Sequence, residues 1–152
     1  MSSAVVSRIV RELKAKPGAL IPILHGIQEE LGYVPEDAVP IIASELNLTR
    51  AEVHGVVTFY HDFRSHPAGR HVIKVCQAES CQAAGSVKTT EHAKKALDID
   101  FHQTTADRSC SLEPVYCLGN CALSPSVMVD NEVFGRVDEQ RFDEILAEIR
   151  RS

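Results

Sequence analysis

His71-Val-Ile-Lys-Val-Cys76-Gln-Ala-Glu-Ser-Cys81 is the stretch at which the chain changes period. Its first six residues, β-branched at Val72, Ile73 and Val75, form a run of strand length. Gly85 and Ser86 then lead into a helical stretch ending near Leu97. Residues 98–111 are weakly patterned and read as a loop. Leu112 to Cys117 reads as a further strand, with Pro114 placing it at a sheet edge. Val127-Met-Val129 and Glu132-Val-Phe134 flank Asp130-Asn131 and suggest a hairpin. Phe142, Ile145, Leu146 and Ile149 recur at helical spacing behind Asp138, a candidate cap.

The order β-α-β-β-β-α predicts an α/β sandwich of thioredoxin type over residues 67–152. Ser124-Pro125, just before a predicted strand, stands where such folds place a cis proline. Upstream, every apolar stripe has helical period. Val6, Ile9, Val10 and Leu13 form the first, which Pro17-Gly18 ends. Leu20, Leu24, Ile27 and Leu31 form the second, with Pro22 tolerated in its first turn and Gly32 ending it. Val39, Ile42, Ala43 and Leu46 make the third. Thr49-Arg50-Ala51-Glu52 matches a capping box and opens the fourth, carried by Val53, Val56, Val57 and Tyr60. Short connections imply packed antiparallel neighbours, so residues 1–66 read as a helical bundle. Arg64 to Gly69, with Pro67 and Gly69, reads as the linker.

The 152 residues, 44% apolar and 24% charged, suit one ordinary domain or two very small ones. No apolar stretch approaches the ~20 residues that span a bilayer, so direct membrane insertion is not expected. The first residues lack the basic and apolar regions of a secretory signal, which points to the cytoplasm. A net charge of −5, spread along the chain, disfavours nucleic-acid or anionic-membrane partners. Five cysteines remain to be explained. In a reducing compartment, clustered thiols indicate metal or redox chemistry rather than disulfides.

All five cysteines lie in the second half, and four pair by spacing. Four residues separate Cys76 from Cys81, three separate Cys117 from Cys121, and 35 lie between the pairs. Each pair falls where a predicted strand meets a loop. Two adjacent loops would thus gather four thiolates, a set preferred by iron–sulfur clusters and by zinc. Structural zinc sites favour two intervening residues, whereas the wider two-iron cluster suits longer intervals. The absence of C-x-x-C argues against dithiol–disulfide exchange. A cluster is the first reading, with a zinc ion and ordinary buried thiols level behind it. The small residues Ala78, Ser80, Ala83, Gly85, Gly119 and Ala122 would let backbone N–H groups approach sulfur. Glu79, between the first two cysteines, would lower a cluster's potential if it faced it. Cys110 stands outside the pairs and reads as a spare thiol.

Other features read more plainly. His54 and His61, seven apart on a predicted helix face, suit surface or packing roles. Leu46-Asn-Leu-Thr49 imitates a helix-turn-helix, but the helix after it carries only Arg50 among phosphate-contacting cations, so DNA reading is not expected. No nucleotide-binding glycine fingerprint and no nucleophile–base constellation occurs.

Cys76-Gln-Ala-Glu-Ser-Cys81 followed by Cys117-Leu-Gly-Asn-Cys121-Ala-Leu-Ser-Pro125 resembles the thioredoxin-like [2Fe–2S] ferredoxins. These occur as the 24-kDa or E-type subunit of NADH:quinone oxidoreductase, in NAD-reducing hydrogenases and in NAD-dependent formate dehydrogenases. Gly32-Tyr-Val-Pro35, Val57-Thr-Phe-Tyr60 and Pro67-Ala-Gly69 extend the likeness from Ile21 through Arg150. Ala51-Glu-Val-His-Gly-Val-Val-Thr-Phe-Tyr-His-Asp-Phe-Arg64 is most similar to gamma subunits of soluble molybdenum formate dehydrogenases. The resemblance implies a helical bundle followed by a thioredoxin-like ferredoxin domain. It implies one [2Fe–2S] cluster on Cys76, Cys81, Cys117 and Cys121, and a non-catalytic, one-electron role in a hetero-oligomer. FMN, the NAD(H) site and further clusters would lie on a beta subunit, and the molybdenum cofactor on an alpha subunit. The helical half, without ligands, would dock beside the flavin subunit, with the cluster near FMN. The alternatives are the E-type subunit of a quinone reductase or hydrogenase and, in another class, a zinc-stabilised interaction module.

Overall fold

In a computed structural model of the chain, which describes residues 2–151, Val6, Ile9 and Val10 lie buried along one face of α1 (Ser2–Leu13). They meet Ile23, Leu24 and Ile27 of α2 (Leu20–Leu31), Ile42 of α3 (Ala38–Leu46) and Val53 of α4 (Arg50–Phe59). Each such side chain contributes about 1.5–3 kcal/mol by leaving water. Gly32 ends α2 in the left-handed region at φ 81°, its amide donating to the Gln28 carbonyl. Thr49 caps α4 through the reciprocal bonds of a capping box with Glu52. Gln28 straps down the segment after α4: its Oε1 accepts from the Arg64 amide and its Nε2 donates to the Asp62 carbonyl, both at 2.7 Å. That strap brings Phe63 into the core at 8% exposure.

The fourth stripe is shorter than its sequence period suggests. Val56 and Val57 are half-buried and Tyr60 is 45% exposed, because α4 stops at Phe59 and Tyr60 turns into extended backbone. His61 therefore lies outside the helix that carries His54, and the two share no helix face.

The chain divides into two compact units, one ending at Pro67 and the other beginning at Ala68. Among its described residues the second contains five strands: β1 (His71–Cys76), β2 (Gln103–Thr104), β3 (Cys110–Val115), β4 (Val127–Val129) and β5 (Glu132–Phe134). Their order is β2-β3-β1-β4-β5, with β1 and β3 parallel and the other pairs antiparallel. Ile73 and Val75 of β1 and Leu112, Val127 and Val129 of its neighbours point to one face. There they pack with residues of α6 (Ser86–Leu97) and α7 (Glu139–Ile149), chiefly Leu97, Phe142 and Ile145. Asp138 caps α7, accepting from the Arg141 amide at 2.8 Å.

Four details depart from the sequence reading. A short helix, α5 (Glu79–Ala83), precedes α6, and its five residues are too few to display a period. The presumed loop over 98–111 contains β2 and the first two residues of β3, both buried. β3 ends at Val115, so Tyr116 and Cys117 lie beyond it. Pro114 does not mark a sheet edge, as the sequence suggested, because β3 lies between β2 and β1; it is tolerated there for a local reason. The Leu112 carbonyl faces β2 and accepts from His102, whereas the Val115 carbonyl faces β1 and accepts from Gln77. By alternation Pro114 faces the β2 side, where the two-residue β2 pairs only with Ser111 and Leu112, so its missing N–H is not needed. No helix among the described residues is long and apolar enough to cross a membrane.

Candidate metal centre

The parallel pairing of β1 with β3 brings the two cysteine loops together. Cys76 ends β1 opposite Val115, the last residue of β3, and the Gln77 amide continues the ladder to the Val115 carbonyl at 2.7 Å. Parallel strands finish at the same end of a sheet, so the loops leaving them start side by side. One loop runs into α5, which carries Cys81. The other passes Cys117 and enters a 3₁₀ turn over Cys121–Leu123.

Cys76 and Cys81 are buried, at 2% and 3% exposure, whereas Cys117 and Cys121 are exposed. The thiols stand as two pairs. Cys76 lies within hydrogen-bonding reach of Cys81 and Cys117 within reach of Cys121, while Cys81 and Cys121 interact electrostatically across the pairs. Among the described residues, no three His, Cys, Asp or Glu side chains gather closely enough to hold one metal ion.

Backbone donors aim at these sulfurs. The amides of Ala78 and Leu118 reach Cys76, that of Ser126 reaches Cys81, and that of Gly119 donates to Cys117 Sγ at 3.3 Å. Burial pushes the Cys76 thiol up, helped by its neighbour Cys81 and opposed by the two amides. At Cys81 burial acts in the same sense, yet the Ser124 hydroxyl, Cys76 and Ser126 outweigh it and bring the thiol below its ordinary value. The charge of Cys117 holds Cys121 up. Such mutual repulsion among thiolates is what bound cations relieve.

The small residues divide by role. Ala78 and Gly119 present amides to sulfur, whereas Gly85, at φ 104°, opens α6. Glu79 is solvent-exposed in the first turn of α5, where water and salt screen its charge. Cys110 sits opposite His71, at the far end of β3, five residues or about 17 Å from Val115. It belongs to the core beneath the sheet and to neither pair. The Ser124–Pro125 peptide is cis.

Sequence reasoning missed the hydroxyl groups behind the loops. Ser124 Oγ accepts from the Cys81 thiol at 3.6 Å, and Ser126 Oγ accepts from Asn120 Nδ2 at 3.2 Å. The signal was available in Ser124-Pro125-Ser126, directly after the second cysteine pair.

The chain matches the thioredoxin-like [2Fe–2S] ferredoxin family over residues 6–150. It belongs to that family. The match begins upstream of Ile21 and takes in most of the helical unit as well as the sheet. This ferredoxin-family chain is 36% identical over 143 residues to the HndA subunit of the NADP-reducing hydrogenase of Solidesulfovibrio fructosivorans, covering 94% of this chain and 84% of that protein. It is 40% identical over 119 residues to the E-type subunit of the NADH-quinone oxidoreductase of Pseudomonas aeruginosa, covering 78% and 72% respectively. An NAD+-reducing [NiFe]-hydrogenase structure matches 88% of this chain with a TM-score of 0.72 and 23% identity, a likeness of fold. The matched part is about a fifth of that hydrogenase chain, at 22%.

Proposed function

We propose that Cys76, Cys81, Cys117 and Cys121 hold one [2Fe–2S] cluster, and that the chain passes single electrons as one subunit of an NAD-linked hetero-oligomeric oxidoreductase. The observation that carries this reading is the meeting of the two cysteine loops at the shared end of β1 and β3, with backbone amides turned toward the sulfurs. Family membership supports the same cofactor. When bound, the cluster supplies a one-electron couple. The chain's own part is to hold it by four thiolates and to stabilise sulfur charge with the amides of Ala78, Leu118, Gly119 and Ser126. The four- and three-residue intervals within the cysteine pairs suit two irons better than the single tetrahedral ion of a zinc-stabilised interaction module.

The partners follow from the names of the relatives, which are subunits of hydrogenase and NADH–quinone oxidoreductase assemblies. We assign FMN, NAD(H) and further clusters to a flavin-binding beta subunit, with this cluster close to the FMN. The 51–64 segment and the Cys117–Pro125 motif favour the gamma subunit of a soluble, cytoplasmic NAD-dependent formate dehydrogenase, with molybdenum on its alpha subunit. The relatives support a quinone-reductase or hydrogenase setting equally well. Docking falls to the helical unit, where Phe59 is 74% exposed.

Purification of the full-length chain alone, and then of the complex that contains it, tests the two levels in turn. In the chain alone, two irons and two sulfides per chain, with a reddish-brown colour bleached by dithionite, are expected. A colourless chain with one zinc overturns the cluster. Formate-driven NAD+ reduction by the complex identifies a formate dehydrogenase, whereas hydrogen- or quinone-linked turnover assigns it to the other assemblies.

A further inference from the structure

Two serines outside the proposed ligand set tie the cysteine loops together. Ser124 Oγ donates to the Cys121 carbonyl at 2.8 Å and lies 2.9 Å from Ser80 Oγ, which comes from α5. The Ser80 hydroxyl also reaches the Cys121 carbonyl, at 3.4 Å. On the other side, the Cys81 thiol donates to Ser124 Oγ at 3.6 Å.

The hydrogens on these groups can be counted. A thiol has one hydrogen and each serine hydroxyl has one. As a metal ligand Cys81 is a thiolate and has none. Its contact with Ser124 then survives only in reverse, with the hydroxyl donating to sulfur. That turns the Ser124 hydrogen away from the Cys121 carbonyl, and Ser80 is in place to supply its own instead. After the exchange the sulfur and the carbonyl each still have a hydroxyl donor.

Resting on the cluster reading above, we propose that Ser124 is a positioning residue that donates a hydrogen bond to the Cys81 sulfur of the bound cluster, and that Ser80 sustains it by taking over the Cys121 carbonyl. Reduction adds one electron and therefore one negative charge, part of which resides on sulfur. A hydroxyl dipole aimed at that sulfur stabilises the reduced form more than the oxidised one and raises the potential. Ser124 thus joins the backbone amides in setting how readily the cluster accepts an electron.

Redox titration of the cluster in the purified full-length chain, followed by visible absorption and electron paramagnetic resonance, tests this. Ser124→Ala is expected to lower the reduction equilibrium constant about tenfold, equivalent to about 59 mV for one electron. Ser124→Thr, which keeps the hydroxyl, is expected to stay within about twofold. Ser80→Ala is expected to give a smaller fall, and the double alanine variant to match Ser124→Ala, because Ser80 acts only through Ser124. An unchanged midpoint in iron-loaded Ser124→Ala overturns the proposal, as does a double variant whose effect is the sum of the singles. Should Ser124→Ala fail to take up iron, Ser80→Ala decides: a lowered midpoint supports the relay and an unchanged one refutes it. A wild-type chain without iron overturns the cluster reading and this inference together; a loaded cluster indifferent to both serines overturns only the inference.

Discussion

A Cβ placed on Gly135 would fall 2.6 Å from the Cβ of Leu123, closer than unbonded carbons approach. The next residue, Arg136, donates its amide to the Leu123 carbonyl at 2.6 Å, so the chain leaving β5 backs directly onto the turn that begins at Cys121. The close approach, rather than a special backbone conformation, makes glycine necessary here.

Gly135→Ala is therefore expected to push the Cys121–Leu123 turn out of place. Overpacking of this kind costs about 1–3 kcal/mol of folding stability. Iron content per chain should fall along with it, because the displaced turn carries a proposed ligand. Urea denaturation and iron analysis on the same preparation check the two effects; full iron content with unaltered stability would contradict the contact.

Cys110 should behave as a structural thiol. It is 1% exposed, and burial pushes its thiol up. Gly69 crosses its backbone so closely that a Cβ there would lie 2.8 Å from the Cys110 carbonyl carbon. Cys110→Ala is expected to keep two irons per chain and to cost on the order of 1 kcal/mol in stability. In cluster-free protein, maleimide should label Cys117 and Cys121 first and Cys110 more than about tenfold slower, since both burial and the scarcity of thiolate oppose its reaction. Mass spectrometry of a labelling time course reads the order.

Much of this arrangement is legible in the sequence, and the exceptions have physical causes. The Val6–Ile9–Val10 stripe, the Thr49–Glu52 capping box and the six residues of β1 appear where local spacing puts them. Each is a local pattern that burial or capping satisfies on the spot. Tyr60 was misleading because apolar spacing persists past Phe59 while the helix does not, and only the Gln28 strap reveals where the chain turns. α5 and β2 are too short to carry a period. At the candidate site, cysteine spacing named the thiols, but the gathering of the loops depends on the parallel register of β1 with β3. The Ser80–Ser124 contact joins residues 44 apart and leaves no mark on local spacing.

Asp107 sets an acid dependence on the loop between β2 and β3. Its carboxylate accepts from Thr105 Oγ1 at 2.6 Å, from the Ser109 amide at 3.0 Å and from Ser109 Oγ at 2.7 Å. The Thr105 hydroxyl, followed by the Ser109 amide and hydroxyl, lowers its pKa to about 2. A depressed value means that the unfolded chain takes up the proton more readily than the folded one. The stabilisation is therefore complete above the ordinary carboxylate range near pH 4 and fades as pH falls toward 2. Asp107→Asn should be less stable than wild type at neutral pH, with the difference shrinking on acidification. Urea unfolding at a series of pH values from 7 down to 2.5 measures it; a difference that grows toward low pH would reverse the sign argued here.

Phe59 offers the clearest test of what the helical unit is for. It ends α4 at 74% exposure, with its ring edge-on to that of Tyr60 at a centroid distance of 5.1 Å. An aromatic ring already in water gives folding little, so Phe59→Ser is expected to change the stability of the chain by no more than about 0.5 kcal/mol. Docking of this corner against a flavin-binding subunit would bury the ring, and central aromatic anchors of interfaces are worth about 2 kcal/mol or more. The variant should then bind its partner roughly 30-fold more weakly. Val87→Ser, on α6 and 51% exposed, serves as the comparison, because it removes exposed apolar surface from the other unit. Co-purification of the complex at graded concentrations separates the cases. Weakened assembly for Phe59→Ser alone assigns docking to the helical unit, whereas equal retention of both variants places the interface elsewhere.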